Sequence, residues 1–215
     1  MRVLVVGATG QIGQKLVHIL SNTTEHTPIA MVRKEEQAQK YAAAGVETVF
    51  ADLEGPVDDL VSAIKDSDAI VFTAGSGGST GHDKTLLIDL DGAVKVMEAA
   101  EKAEVKRFVM VSALQAHNRE SWNEQIKPYY VAKHYADKML QASSLNYTII
   151  RPGLLLNEKG TGKIQPGLNL DRGSISREDV AHLISEVLSA ENTYRFAFDV
   201  ISGNVKIEDA VKNIK

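Results

Sequence analysis

Tyr129 and Lys133 stand four residues apart in the segment KPYYVAKHYADKML, the spacing that puts two side chains on one face of a helix. A phenol ordinarily titrates near 10, too high for ready proton exchange at neutral pH. A neighbouring ammonium favours the phenolate, so Lys133 is expected to lower the Tyr129 pKa. Such a phenol can give or take the proton that accompanies a hydride transfer. Ser112, which closes the apolar run RFVMVS, would hydrogen-bond the substrate oxygen, and Lys133 could also hold a cofactor ribose. Chance would produce about half such a Tyr–Lys pair in a chain of this composition, so the spacing alone decides nothing. Placement carries the weight: the pair opens the helix that follows the fifth strand, and Ser112 ends that strand. Tyr130, one residue off this register, is expected to point elsewhere, and so is His134, next to Lys133.

A hydride must come from a carrier, and the opening of the chain supplies a seat for one. Gly7-Ala8-Thr9-Gly10-Gln11-Ile12-Gly13 follows the apolar run Val3–Val6 and begins a helix near Gln11. Gly7 permits the tight turn off the strand, Gly10 lets backbone approach a pyrophosphate, and Gly13 lets the helix pack close to the sheet. The helix start then offers unpaired N–H groups and a positive dipole end to phosphate. The Gly-Lys-Ser/Thr tail of a Walker loop is absent, so the pattern reads as a dinucleotide site.

The second strand decides which dinucleotide. Twenty residues beyond Gly13, where an NAD enzyme usually carries an acid, the chain has Arg33. A guanidinium grips a 2′-phosphate that a carboxylate would repel, so NADP(H) is preferred over NAD(H). Asp52 and Leu53 follow the third strand, where they meet the adenine edge or simply make a turn. Thr73, Ala74 and Gly75 follow the fourth strand, and Ala74 and Gly75 are expected to touch the cofactor. Ser76–Gly78 could equally be a plain loop.

These groups need a scaffold. Strand candidates are Val3–Val6, Ile29–Val32, Glu47–Phe50, Ala69–Thr73, Arg107–Ser112, Tyr147–Arg151 and Arg195–Val200. Between them lie helix candidates at Ile12–Ser21, Glu35–Ala44, Val57–Ile64, Lys84–Lys102, Tyr129–Ala142 and Arg177–Ser189. Strands alternating with helices imply βαβ units and a parallel sheet. The strands are apolar throughout, as in a sheet covered on both faces. The expectation is an α/β, single-domain Rossmann fold over 1–215, a doubly wound parallel sheet with helices on both faces. Two segments resist the pattern: the polar stretch Ala113–Lys127, which contains Trp122, and Leu154–Ser176, read as a small lid of about 154–176. Trp122 either closes over a ligand or packs its loop onto the body.

Composition narrows the functions open to this fold. The 215 residues carry 24 Lys plus Arg against 28 Asp plus Glu, a net charge of −4, which leaves no electrostatic footprint for nucleic acid. Cysteine is absent, which excludes disulfides, thiolate metal sites and cysteine nucleophiles. The six histidines show no metal-ligand spacing, so no metal is expected. No apolar run approaches the length of a membrane helix or a secretory leader, so no membrane association and a cytoplasmic location are expected. The expected partner is a small-molecule substrate, in a monomer or homodimer.

With GATGQIG, Arg33, TAGSGG, Ser112 in FVMVSAL, YYVAK, RPGLL at 151–155 and ISREDVA at 175–181, the chain resembles short-chain dehydrogenases/reductases of the atypical group, near the NmrA-like and epimerase-like small NAD(P)-binding proteins. The resemblance implies a bound nicotinamide cofactor, a catalytic set of Ser112, Tyr129 and Lys133, and Pro152 and Gly153 flanking the nicotinamide. The family's fourth catalytic residue is an Asn, and its place falls on Asp89 of LLIDLDGAV. The resemblance leaves three activities open: an NADPH-dependent oxidoreductase of small carbonyls or alcohols, an NADP(H)-sensing binding protein without turnover, and a small epimerase or dehydratase-like enzyme. Only 64 residues follow Arg151, which leaves little room for a nucleotide-sugar domain.

Overall fold

Alternation along each strand decides which layer its side chains join. In β1 (Arg2–Val6), Val3 and Val5 enter one core while Leu4 and Val6 enter the other. The computed structural model, which describes residues 1–78 and 80–214, repeats this division across the sheet. The chain runs through α1 (Gln11–Ser21), β2 (Thr27–Val32), α2 (Glu35–Ala43), β3 (Glu47–Phe50), α3 (Val57–Ile64) and β4 (Ala69–Phe72). It continues through α4 (His82–Lys84), a π-helical segment (Thr85–Gly92), α5 (Ala93–Lys102), β5 (Arg107–Val111), α6 (Lys127–Ala142) and β6 (Asn146–Pro152). The last part holds β7 (Leu154–Leu156), β8 (Lys163–Gly167), β9 (Ser174–Ser176), α7 (Arg177–Val187), β10 (Phe196–Ser202), β11 (Val205–Lys206) and α8 (Ile207–Lys212).

The main sheet has the order β11-β8-β10-β6-β5-β4-β1-β2-β3. Pairings from β3 across to β10 are all parallel, and β8 and β11 close that end antiparallel. Residues of α1, α7 and α8 join one core layer; residues of α3, α5 and α6 join the other. This is the Rossmann arrangement expected from the sequence. The strand order reverses between β1 and β4, and a ligand crevice forms at such a reversal, outside the carboxyl ends of the strands. Among the described residues, no helix is long and apolar enough to cross a membrane.

Three local expectations are corrected. The run read as one helix over Lys84–Lys102 is helical throughout but widens into a π-helix over Thr85–Gly92. The stretch 154–176, read as a lid, contains β7, β8 and β9, with β7 and β9 forming their own parallel pair. Pro166 and Gly167 made β8 look like a loop. β11 pairs only with Ile164 and Lys163, so beyond them the outer edge is open and a proline breaks no ladder there. The strand expected over Arg195–Val200 starts at Phe196 and runs on to Ser202.

Arg107, 5% exposed, ties the sheet to α7. Its guanidinium donates to the carbonyls of Val187 (2.5 Å), Leu188 (3.0 Å) and Asn146 (2.8 Å) and lies over the Tyr194 ring. The first two carbonyls are the orphan acceptors at the end of α7. Burial lowers the Arg107 pKa to about 10, which leaves it charged at neutral pH. Arg107→Met should lower the unfolding free energy by about 3 kcal/mol, because charged hydrogen bonds are lost and buried carbonyls left bare; urea denaturation measures it. Gly13→Ala should be as damaging as an overpacked core position, about 2 kcal/mol, since its Cβ would collide with the Gly7 carbonyl. A denaturation midpoint equal to that of the unsubstituted chain would contradict that packing.

Candidate functional site

The turn leaving β1 is held from three sides. Gly7 has φ +88°, a conformation that favours glycine, and a Cβ there would stand 2.6 Å from the Ala74 nitrogen. Tyr41 of α2 donates its hydroxyl to the Ala8 carbonyl at 2.6 Å. Gln14 donates to the Thr9 carbonyl at 2.6 Å, and the Thr73 hydroxyl donates to the Val6 carbonyl at 3.1 Å. Gly10 begins α1 with no side-chain cap, so the first N–H groups of the helix have no intrahelical acceptor. The Ile12 side chain is buried in the core and Gly13 packs on the turn. Neither they nor the Gln11 side chain lines the cleft; they can serve a phosphate through backbone N–H groups alone.

A cleft of about 410 Å³ opens beside this turn. The structure brings Gly7, Thr9, Gly10, Arg33, Asp52, Leu53, Thr73, Ala74 and Gly75 to its walls. It adds residues that sequence reasoning missed: Met31, Gln37, Glu54, Thr80, Lys84 and Ile88. The Gln37 side-chain oxygen accepts the backbone N–H groups of Arg33 (3.0 Å) and Lys34 (3.2 Å), fixing the backbone from which Arg33 projects. Arg33 is exposed, and its guanidinium has no ion-pair partner among the described residues. Asp52 accepts the Glu54 N–H at 3.1 Å, and Lys84 pairs with Glu54 at 2.7 Å. The Glu54 carboxylate raises the Lys84 pKa. His82 and Asp83, which open α4, do not line the cleft.

Beyond the nucleotide cleft, the end of β5 meets α6. Lys133 is 3% exposed and its Nζ donates to the Val111 carbonyl at 2.8 Å, the peptide group that leads into Ser112. Ser112 is 3% exposed, its N–H donates to the Ile150 carbonyl at 2.7 Å, and its Oγ has no hydrogen-bond partner among the described residues. Tyr129 sits one helical turn before Lys133, half-buried. The expected lowering of its pKa is corrected. Burial pushes the phenol well above its ordinary value, and the Asp89 carboxylate adds to the rise. The ammonium expected to oppose this is engaged by a carbonyl instead, and its own pKa is pulled down by burial against the opposing pull of Asp89 and Asp137. Asp137 makes a buried ion pair with Arg151, Nε to Oδ2 at 2.8 Å, one turn beyond Lys133.

Pro152 ends β6 beside this set and Gly153 follows it; the Pro152 carbonyl accepts the Leu114 N–H at 2.9 Å. A Cβ on Gly153 would meet the Gly173 carbonyl, so close packing by itself accounts for that glycine. The two irregular segments are joined at Asp199, fully buried on β10. It accepts the N–H groups of Gln115 (3.3 Å) and Leu170 (3.2 Å), and burial raises its pKa. Gln115 also donates to the Leu170 carbonyl at 2.8 Å. Trp122 packs its loop onto the body, stacked on Tyr130 and bonded to the Ala116 carbonyl at 3.2 Å. His134 bonds the same carbonyl at 2.8 Å. Tyr130 and His134 thus point away from Lys133, as their register implies.

Bare backbone at Gly7 and Gly10, an uncapped helix start, a free guanidinium and an orphaned buried hydroxyl fit a nicotinamide dinucleotide. Comparison with known proteins agrees. A family model described as NAD(P)H-binding matches residues 7–191. The uncharacterized sugar epimerase YhfK of Bacillus subtilis is 58% identical over 214 residues, covering 100% of both chains. The oxidoreductase ylbE of Lactococcus lactis superposes with a TM-score of 0.91 at 35% identity, covering 100% of this chain and 96% of that one. ChuY, an anaerobilin reductase of Escherichia coli O157:H7, superposes with a TM-score of 0.80 at 26% identity, covering 96% and 99%. The chain belongs to the NAD(P)H-binding family.

Proposed function

We propose that this protein is an NADPH-dependent oxidoreductase that reduces a small carbonyl substrate through Ser112, Tyr129 and Lys133. One observation carries the reading: the Lys133 ammonium is bonded to the Val111 carbonyl, next to a buried Ser112 hydroxyl with no partner among the described residues. An unpaired buried hydroxyl is disfavoured unless something bonds it, and a substrate oxygen supplies the missing acceptor. Tyr129 would give the proton at its Oη. Lys133 would hold the cofactor ribose. The backbone of Gly7 to Gly13 would hold the pyrophosphate, Asp52 and Leu53 the adenine edge, and Pro152 and Gly153 the nicotinamide side. The bound dinucleotide supplies the hydride.

Arg33 supports NADP(H) over NAD(H), because it follows β2 on the cleft wall and its guanidinium has no carboxylate partner among the described residues. The names of relatives also include an epimerase. The loops at 113–127 and 168–173, read here as substrate loops, are tied to each other through Asp199; the proposed role of 154–176 narrows to the part beyond β8. We place the protein in the cytoplasm, as a monomer or homodimer without nucleic-acid partners.

Arg33→Ala should weaken NADPH binding at least about tenfold more than NADH binding, read by calorimetry with each nucleotide. Equal losses would remove the 2′-phosphate role. Tyr129→Phe should lower the rate of NADPH oxidation across a panel of small aldehydes and ketones by about 100-fold or more. Undiminished turnover in that variant, with native circular dichroism, would reject the proton donor.

A further inference from the structure

A second pocket, of about 340 Å³, lies between the loops at 113–127 and 168–173 and shares no lining residue with the nucleotide cleft. Leu114, two residues beyond Ser112, stands in its wall with Trp122 and Tyr130. The Tyr130 ring lies 6.0 Å from the Tyr129 ring, edge to face. The polar wall carries both signs of charge, Glu120 and Asp171 against Arg172. None of these three makes an ion pair among the described residues. A ligand of either charge would therefore meet a like charge there, which is costly. A hydroxyl both donates and accepts, so it suits the carboxylates and the guanidinium alike.

The pocket exists because two loops distant in the chain are fastened together. Asp199, fully buried on β10, accepts the Gln115 N–H on Oδ1 at 3.3 Å and the Leu170 N–H on Oδ2 at 3.2 Å. Gln115 Nε2 donates to the Leu170 carbonyl at 2.8 Å, and Arg172 Nη2 to the Ser121 carbonyl at 2.9 Å. Gln115 has φ +60°, a conformation that a side-chain-bearing residue keeps only when its surroundings hold it. Each loop uses a different oxygen of Asp199. An amide has one oxygen and one NH2 group, so it could accept from one loop while turning a donor on the other.

We propose that this pocket takes the carbonyl reactant, a small uncharged compound bearing hydroxyl groups, and that Asp199 is the positioning residue that holds its two walls together. The inference rests on the oxidoreductase reading above. With NADPH, the native chain should reduce glyceraldehyde with a kcat/KM at least about tenfold above that for propanal, which has the same carbon chain without the hydroxyls. In nucleotide-free Asp199→Asn, hydrogen exchange at the Gln115 or the Leu170 amide should accelerate at least about tenfold. The same variant should raise the KM for glyceraldehyde about tenfold, because the formed pocket is less populated. Its kcat and its calorimetric affinity for NADPH should stay within about twofold of the native chain's, since Asp199 does not line the nucleotide cleft. A general loss of structure would lower all three together. Should Asp199→Asn not fold, Gln115→Gly removes the side-chain tie at a φ that glycine accepts, and the same split between KM and NADPH affinity is expected. Unchanged exchange at both amides overturns the role of Asp199 in joining the loops. An unmoved KM, or an equal loss of NADPH affinity, overturns its role in the pocket. Propanal reduced as well as glyceraldehyde overturns the substrate class. If the native chain oxidises NADPH with no carbonyl at all, the proposed function falls and the substrate class with it, while exchange still judges Asp199.

Discussion

The site depends on one steric constraint, the contact between the exits of β1 and β4. Gly7 lies so close to Ala74 that no side chain fits between them, and Gly13 lies against the Gly7 carbonyl in the same way. Three backbone segments therefore meet with nothing but main chain at the junction. That contact aims the start of α1 along the cleft and sets the loop after β4 opposite it. Hydrogen bonds from Tyr41, Gln14 and Thr73 fix the turn from three directions, so its N–H groups are oriented before any phosphate arrives. Preorganised donors of this kind need little rearrangement on binding.

A second constraint is electrostatic. Lys133, Asp89, Asp137, Arg151 and Asp199 are all nearly or wholly buried around the ends of β5, β6 and β10. Removing charges from water is costly unless they are paired or hydrogen-bonded, and most of these have specific partners. Lys133 is held by a strand carbonyl, Asp137 by Arg151, and Asp199 by two backbone N–H groups. Each partner belongs to a different segment of chain, so the charges lock the loops that carry Gln115 and Leu170, the central strands and α6 into a single geometry. Ser112 Oγ and Asp137 Oδ1 are buried without hydrogen-bond partners among the described residues.

Much of this could be read along the chain. The strands were recognisable because each is short, apolar and followed by helical periodicity. The glycine turn was recognisable because its residues are consecutive and its chemistry is local. Arg33 was reached by counting. The cleft residues contributed by Met31, Thr80, Lys84 and Ile88 were not legible. They come from β2, the loop before α4, the end of α4 and the π-helical segment, and nothing in their own segments marks them for a ligand. Lys84 and Glu54 lie thirty residues apart, and only the docking of α4 over the β3 exit makes them a pair. Within 154–176, Pro166 and Gly167 hid a strand whose outer edge is largely unpaired.

The sequence by itself determined the alternation of strands and helices, the bare-backbone turn and the residue types at the site, because those follow from local spacing and from the conformational limits of glycine. Only the tertiary structure decided the protonation chemistry. The Tyr–Lys spacing implied a phenol eased toward ionisation. The fold instead turns the ammonium to the Val111 carbonyl and half-buries the phenol, and that burial raises its pKa. A pKa is set by the sum of burial and of every charge within reach, and that sum exists only once distant segments are packed together.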